Sequence, residues 1–237
     1  MRKILAISGK EARSYFASPI AYVVMAMFLL ITGYFFAAYV GNTGLAMLDG
    51  LFSTGTIIML MLVASLLTMR LLAEEQKLGT IELLLTSPVR DWEVVIGKYL
   101  ASLAVFVVMV GLTLYYPLLL FWFGDPDPGP IFSGYVGLFL LGASFLSVGL
   151  LASSLTSNQI VSAVLAFGLL RLMLVMAGAG GFVSGAPAEV ISYISLSEHL
   201  GDFVKGVIDT KDIIYYLSFI ALFLFLTVRS LETRRWR

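Results

Sequence analysis

Six long apolar stretches leave this chain of 237 residues little choice of fold. They run from about Ile20 to Val40, Phe52 to Leu72, Trp92 to Phe123, Ile131 to Ser153, Gln159 to Met176 and Ile213 to Val228. At 1.5 Å per helical residue, roughly 20 residues cross a hydrocarbon core, so each stretch is sized for a membrane helix. Hydrophobic residues make up 59% of the chain and charged ones only 13%, a balance that excludes a soluble domain. The expected fold is an all-α integral membrane protein of six spans.

Charge placement then sets the orientation. An inside N-terminus puts twelve Lys and Arg residues on the cytoplasmic side: Arg2, Lys3, Lys10, Arg13, Arg70, Lys77, Arg90, Lys98, Arg229, Arg234, Arg235 and Arg237. Only Lys205 and Lys211 fall outside. That excess predicts six spans with both termini in the cytoplasm. The apolar run nearest the N-terminus is too long for a signal-peptide core and has no clear small-residue cleavage site, so it reads as retained. Residues 1–17 form an amphipathic segment. Its basic sector carries Arg2, Lys3, Lys10 and Arg13, and its opposite side carries Ile4, Leu5, Ile7, Ala12, Tyr15 and Phe16. Such a helix lies in the lipid interface.

Along the chain, Ser18-Pro19 reads as an N-cap followed by a first-turn proline. Gly33, Ala37 and Gly41 make a small-residue stripe in the first span, whether a packing seam or chance. The third stretch is longer than a span requires, which predicts tilt, an early start, or a break near Tyr115-Tyr116-Pro117. In the turn Gly124–Pro130, Asp125 and Asp127 are too few to hold a cation. Ala143/Ser147 and Gly149/Ser153 mark the fourth span as interior, and Asn158 or Ser157 caps the fifth. Residues 177–212 hold a breaker cluster and two weakly amphipathic pieces, around Glu189–Leu196 and Glu198–Ile208, read as short external helices or a re-entrant segment.

Between the second and third spans lies RLLAEEQKLGTIELLLTSPVRDWEVVIGK, residues 70–98, with nine charged residues between apolar flanks. Glu74, Glu75 and Lys77 precede a breaker, Gly79. A short apolar segment with one acid follows, from Thr80 through Glu82, Leu83, Leu84 and Leu85. Ser87 and Pro88 then supply a helix start. This predicts a brief cytoplasmic surface helix. The run EEQKLGTIELLLTSPV resembles the cytoplasmic loop of type-2 ABC transporter permeases, in their gliding-motility and copper-maturation branch, and the six-span layout agrees over nearly the whole chain. The resemblance implies a single permease domain over residues 1–237. It also implies an elbow helix at the N-terminus, external helices before the sixth span, and a coupling helix docked on an ATPase subunit. Glu74, Glu75, Gly79, Thr80, Glu82, Leu83, Leu84, Leu85, Ser87 and Pro88 are then the coupling residues. The partners expected are two ATPase copies, a second permease subunit (identical or homologous) and membrane lipid, with no nucleic acid.

No phosphate loop of the G-x-x-x-x-G-K-[ST] type exists, since Gly9-Lys10 and Gly97-Lys98 are followed by Glu and Tyr. The chain has no cysteine and one histidine, His199, so thiolate chemistry and a histidine-rich metal site are excluded. No catalytic residue, metal or cofactor is expected here; ATP and magnesium belong to the partner ATPase. Arg171 stands about 18 Å into the fifth span. It either lines the transport path or pins an external cap through Glu189, Glu198, Asp202 or a facing protomer, or else snorkels to the headgroups. The function expected is a permease subunit forming half of a translocation pathway, in export or in a motility or assembly complex. The alternatives are a non-transporting membrane anchor and a passive channel or carrier.

Overall fold

The computed structural model describes residues 2–80, 89–179 and 195–235, and among them every regular element is a helix. In hydrocarbon the backbone has no water to bond, so each span must satisfy its own N–H and C=O groups, which a helix does. Six helical stretches are long and apolar enough to cross a membrane: Pro19–Thr43, Thr54–Leu78, Asp91–Phe123, Pro128–Leu155, Gln159–Met176 and Thr210–Thr233.

The helix ends follow local chemistry. Helix α1 (Arg2–Ala17) stops at Ser18, whose extended backbone lets Pro19 open α2 (Pro19–Thr43). Gly44 ends α2 in the left-handed conformation, φ +67°, with its N–H on the Val40 carbonyl. Ser53 caps α3 (Thr54–Thr68) by accepting from the Thr56 N–H. The chain then makes a tight turn and enters a short helix, α4 (Ala73–Leu78), which Gly79 closes at φ +70°. The third span does break, as expected, into α5 (Asp91–Leu112) and α6 (Tyr115–Phe123). Pro117 has no N–H for the Thr113 carbonyl four residues back. That carbonyl instead accepts from the Tyr135 hydroxyl at 2.9 Å and from the Tyr116 N–H at 3.0 Å.

Asp127 caps α7 (Pro128–Leu155), accepting from the Gly129 N–H at 2.9 Å, which gives it a structural role in its turn. Asn158 caps α8 (Gln159–Ala179), its Oδ1 accepting from the Ile160 N–H at 2.9 Å. Two further helices follow the undescribed 180–194: α9 (Leu196–Val204), matching the second predicted amphipathic piece, and α10 (Thr210–Arg235). The first predicted piece, around Glu189, lies outside the described residues.

Helix α7 is the hub, packed against α3, α5, α8, α9 and α10. Its span is 83% buried and that of α3 72%, whereas the spans of α2, α8 and α10 are 28%, 17% and 17% buried. Small side chains make this possible, since a Cβ at Gly142 would stand 2.1 Å from the Phe106 ring and one at Gly149 the same distance from Thr68 Oγ1. Ala143, Ser147 and Ser153 are buried, as their interior assignment requires. Within this chain the stripe in α2 packs only at its first position. Gly33 meets the Tyr116 hydroxyl, but Ala37 is exposed and Gly41 faces open space.

At one end of the bundle, Ser154 at the close of α7 donates to Ser230 in α10, and α1 and α4 meet the start of α5. We call this the near end. At the far end Ser133 donates to the Phe203 carbonyl, holding α9 on α7. His199 Nδ1 lies 2.6 Å from Asp212 Oδ1, and its ring stacks on Tyr215.

Candidate functional site

The near end carries a charged groove of about 500 Å³, lined by residues of α1, α4, α5 and the turn before α4. Its cations are Lys10, Arg70 and Lys98, and its carboxylates are Glu11, Glu74 and Glu75. The groove exists because α1 lies across the start of α5. Ile4 and Ile7 of α1 sit on Gly97, where an added Cβ would be 2.8 Å from Ile7 Cγ2. The inward stripe of α1 is Ile4, Ile7, Glu11 and Tyr15, at helical spacing. Leu5, placed on the apolar face from sequence, is 68% exposed, open to the lipid interface rather than packed on α5. It lies one position round the helix from the packed stripe.

Tyr15, one turn beyond Glu11, anchors α1 beside the groove. Its hydroxyl donates to the Leu67 carbonyl, and the Arg70 guanidinium lies 4.1 Å from its ring centroid. Burial pushes the Tyr15 phenol well above its ordinary pKa, only partly opposed by Arg70. The phenol therefore stays a neutral donor.

The entry to the 70–98 loop is held from α7. Ser153 Oγ accepts from the backbone N–H groups of Leu72 and Ala73, at 3.0 and 3.1 Å, and donates to the Met69 carbonyl at 3.1 Å. Leu72, the N-cap position of α4, makes no side-chain cap of its own, so a serine about 80 residues away supplies it. Gln76 adds a bond from Nε2 to the Ser154 carbonyl at 2.9 Å. Helix α4 is thereby fixed against α7, and its outer side presents Glu74, Lys77 and Leu78 to solvent, with Leu78 66% exposed.

The sequence-predicted coupling residues divide into three groups. Glu74, Gly79 and Thr80 are exposed at the near end. Glu75 is not: it turns inward to Lys98, Oε1 to Nζ 2.8 Å, with its side chain 19% exposed. Glu82, Leu83, Leu84, Leu85, Ser87 and Pro88 lie outside the described residues. The membrane helix after them opens at Asp91 behind Arg90, whose N–H donates to Glu93 Oε2 at 2.9 Å. Sequence reasoning missed Glu11, Lys98, Ser153 and Leu78. Two of these carried a signal: Glu11 interrupts the apolar stripe of α1, and Lys98 interrupts the apolar run VVIGKYLASLAVFVV.

Arg171 is exposed on the outer face of α8, whose buried stripe among the described side chains is Ser162, Ala166 and Leu170. Of its candidate partners, Asp202 is engaged elsewhere, with Lys211 at 3.6 Å and Lys205 at 3.9 Å. Glu189 and the Glu198 side chain lie outside the described residues. Among the described residues Arg171 makes no ion pair, and none of their His, Asp and Glu residues cluster as metal ligands.

Known proteins place the chain. The family described as ABC-2 family transporter protein matches residues 5–227, and the chain belongs to that family. It is similar to the protein named Probable multidrug ABC transporter permease YbhR of Escherichia coli (strain K12), 27% identical over 143 residues. The same-named protein of Escherichia coli O157:H7 matches equally. The match covers 57% of this chain but only 37% of those relatives. Both findings agree with the resemblance read from the 70–98 loop, without singling out the gliding-motility and copper-maturation branch.

Proposed function

We propose that this ABC-2 family chain is the permease subunit of an ABC transporter, coupled at its near end to a separate ATPase. The near end is then cytoplasmic, as the Lys and Arg distribution requires, and the membrane is a bacterial inner membrane. The observation that carries the reading is the presentation of α4. The protein immobilises this helix through Ser153 and Gln76, yet leaves Leu78 exposed at its tip beside Glu74 and Lys77. What supports the reading is that a helix held in place from α7 presents two opposite charges and an apolar side chain on one side, so a partner can dock there without first ordering it. Gly79 then turns the chain at a positive φ into the 81–88 segment, where the resemblance puts the coupling helix.

In operation, ATP and magnesium bind the partner, and ATP closes two ATPase copies together. Each moves the segment seated on it, and the push reaches the bundle through α4 and α5. Glu74 and Glu82 set register against basic residues of the ATPase, while Leu78 and Leu83–Leu85 supply apolar contact. Arg171 supports a second permease copy. An arginine facing lipid in mid-span costs about 2.5–3.5 kcal/mol on insertion scales, and a facing protomer removes that cost. Similarity to a protein named as a multidrug transporter permease supports small-molecule cargo, and we take the direction to be export.

Because the chain has no cysteine, Thr80→Cys is a unique crosslinking handle. The expected product in native membranes is a crosslink to an ATPase subunit that nucleotide strengthens or weakens. Glu82→Arg and Gly79→Trp should abolish transport-coupled ATP hydrolysis with insertion intact. Crosslinks only to lipid or to this same chain, with both variants active, reject the reading.

A further inference from the structure

Lys98 is among the largest side chains that the described residues bury completely, at 1% exposure, although it is a cation. Its Nζ lies 3.0 Å from Glu11 Oε1 and 2.8 Å from Glu75 Oε1. Three helices meet at that one nitrogen: α1 through Glu11, α4 through Glu75, and α5 through Lys98 itself. The second oxygen of Glu75 is buried with no partner among the described residues.

A buried ionic cluster is weak evidence for stability, because desolvation takes back most of the attraction. Its better use is specification of geometry. Ile4 and Ile7 pack on Gly97, and the Tyr15 hydroxyl bonds the Leu67 carbonyl, but neither contact reaches α4. A single ammonium holding one carboxylate from α1 and one from α4 ties all three helices, since moving either helix away strands a charge in a poorly solvated site. Contacts between α1 and α4 are otherwise few, so no apolar seam does the same work.

We infer that Lys98 is a positioning residue that locks α1, α4 and the start of α5 into one rigid body at the near end. Glu75 is accordingly an internal strut rather than a contact for the partner, and Glu74 is the acid of α4 that faces outward. The purpose of such a body rests on the coupling reading: force applied at residues 74–80 moves the interfacial helix and the third span together. Its existence does not rest on that reading.

The test uses two spin labels, at Arg13→Cys on α1 and Lys77→Cys on α4, both exposed positions in an otherwise cysteine-free chain. The chain is reconstituted in nanodiscs without nucleotide, and the distance distribution is measured by pulsed electron resonance. The expected result is one narrow peak, lost in Lys98→Met and kept in Lys98→Arg. Lys98→Met buries two uncompensated carboxylates and can fail to fold. The triple variant Glu11→Gln, Glu75→Gln, Lys98→Met removes all three charges and keeps the question open to measurement; it too should lose the narrow peak. A triple variant as narrow as the parent overturns the inference, because packing alone then sets the geometry. A parent whose distance shifts when ATP is added to the complete complex overturns the rigid body as well. Failure of the docking reading shows separately, as Thr80→Cys that never captures an ATPase while the narrow peak and its loss remain.

Discussion

Ser153→Ala is the substitution whose consequence can be worked out most fully. Ser153 is completely buried near the end of α7, and its Oγ takes the N–H groups of Leu72, the N-cap position, and Ala73, the first residue of α4. Alanine fits the space but leaves both donors without that acceptor, and the Met69 carbonyl loses a donor. An orphaned buried polar group costs about 1–3 kcal/mol, so two donors cost about 2–4 kcal/mol after modest relaxation. The cost falls on one turn, not on the bundle. Helix α4 is six residues long and is otherwise held at its outer turns, by Gln76 on the Ser154 carbonyl and Glu75 on Lys98, so its first turn opens locally before α3 or α7 yields. A change of that size raises the local opening constant roughly 30- to 1,000-fold, since 1.4 kcal/mol is a factor of ten. Hydrogen exchange followed by mass spectrometry, in nanodiscs, reads this on peptides covering 70–79, with peptides from the middle of α3 as the internal standard. Ser144→Ala is the control. It is equally buried, but its hydroxyl bonds only the Leu140 carbonyl in its own helix, and its loss should change little. Unchanged exchange at 70–79 in Ser153→Ala, or an equal effect from Ser144→Ala, refutes the reasoning.

Two further outcomes follow from packing and exposure. Gly149→Ala places a methyl 2.1 Å from Thr68 Oγ1, which is itself bound at 2.7 Å to the Ala64 carbonyl and cannot swing away. It should destabilise by about 1–3 kcal/mol, seen as a lower midpoint in detergent unfolding followed by tryptophan fluorescence. Gly168→Ala meets nothing within 4 Å and should be neutral or slightly stabilising. Arg171→Leu should leave the fold intact and weaken self-association in nanodiscs, measured by single-molecule photobleaching, while Arg171→Lys retains it. An Arg171→Leu variant that pairs as well as the parent removes the interface role.

The division between chain and fold is visible in particular residues. Span positions could be read without a structure because hydrocarbon thickness sets a length, and apolar length is a property of a contiguous stretch. Pro19, Gly44, Gly79, Pro117 and Asn158 act within one turn of themselves, so a helix start, a stop, a break and a cap were legible locally. The weight of α7 could be anticipated from its small residues. Its role in capping α4 could not, because Ser153 and Leu72 are 81 positions apart.

Charges were the least legible part, for the same reason. Coulomb attraction depends on separation in space, and nothing in a sequence says that residue 98 meets residues 11 and 75. Glu75 beside Glu74 looks like a second outward acid. A helix turns about 100° per residue, so the two point different ways, and only the position of α5 decides which one is buried. Arg171 shows the converse. Its oddity was plain from composition, but that Asp202 is engaged by Lys205 and Lys211 waited on the placement of α9 and α10. The amino-acid sequence by itself determined a six-span helical membrane protein and the turns between its helices, since those follow from hydropathy and backbone chemistry along the chain. The buried Lys98 cluster, the borrowed cap and the exposed face of α4 were decided by tertiary structure alone, because each is a meeting of side chains that the backbone brings together only once the helices have packed.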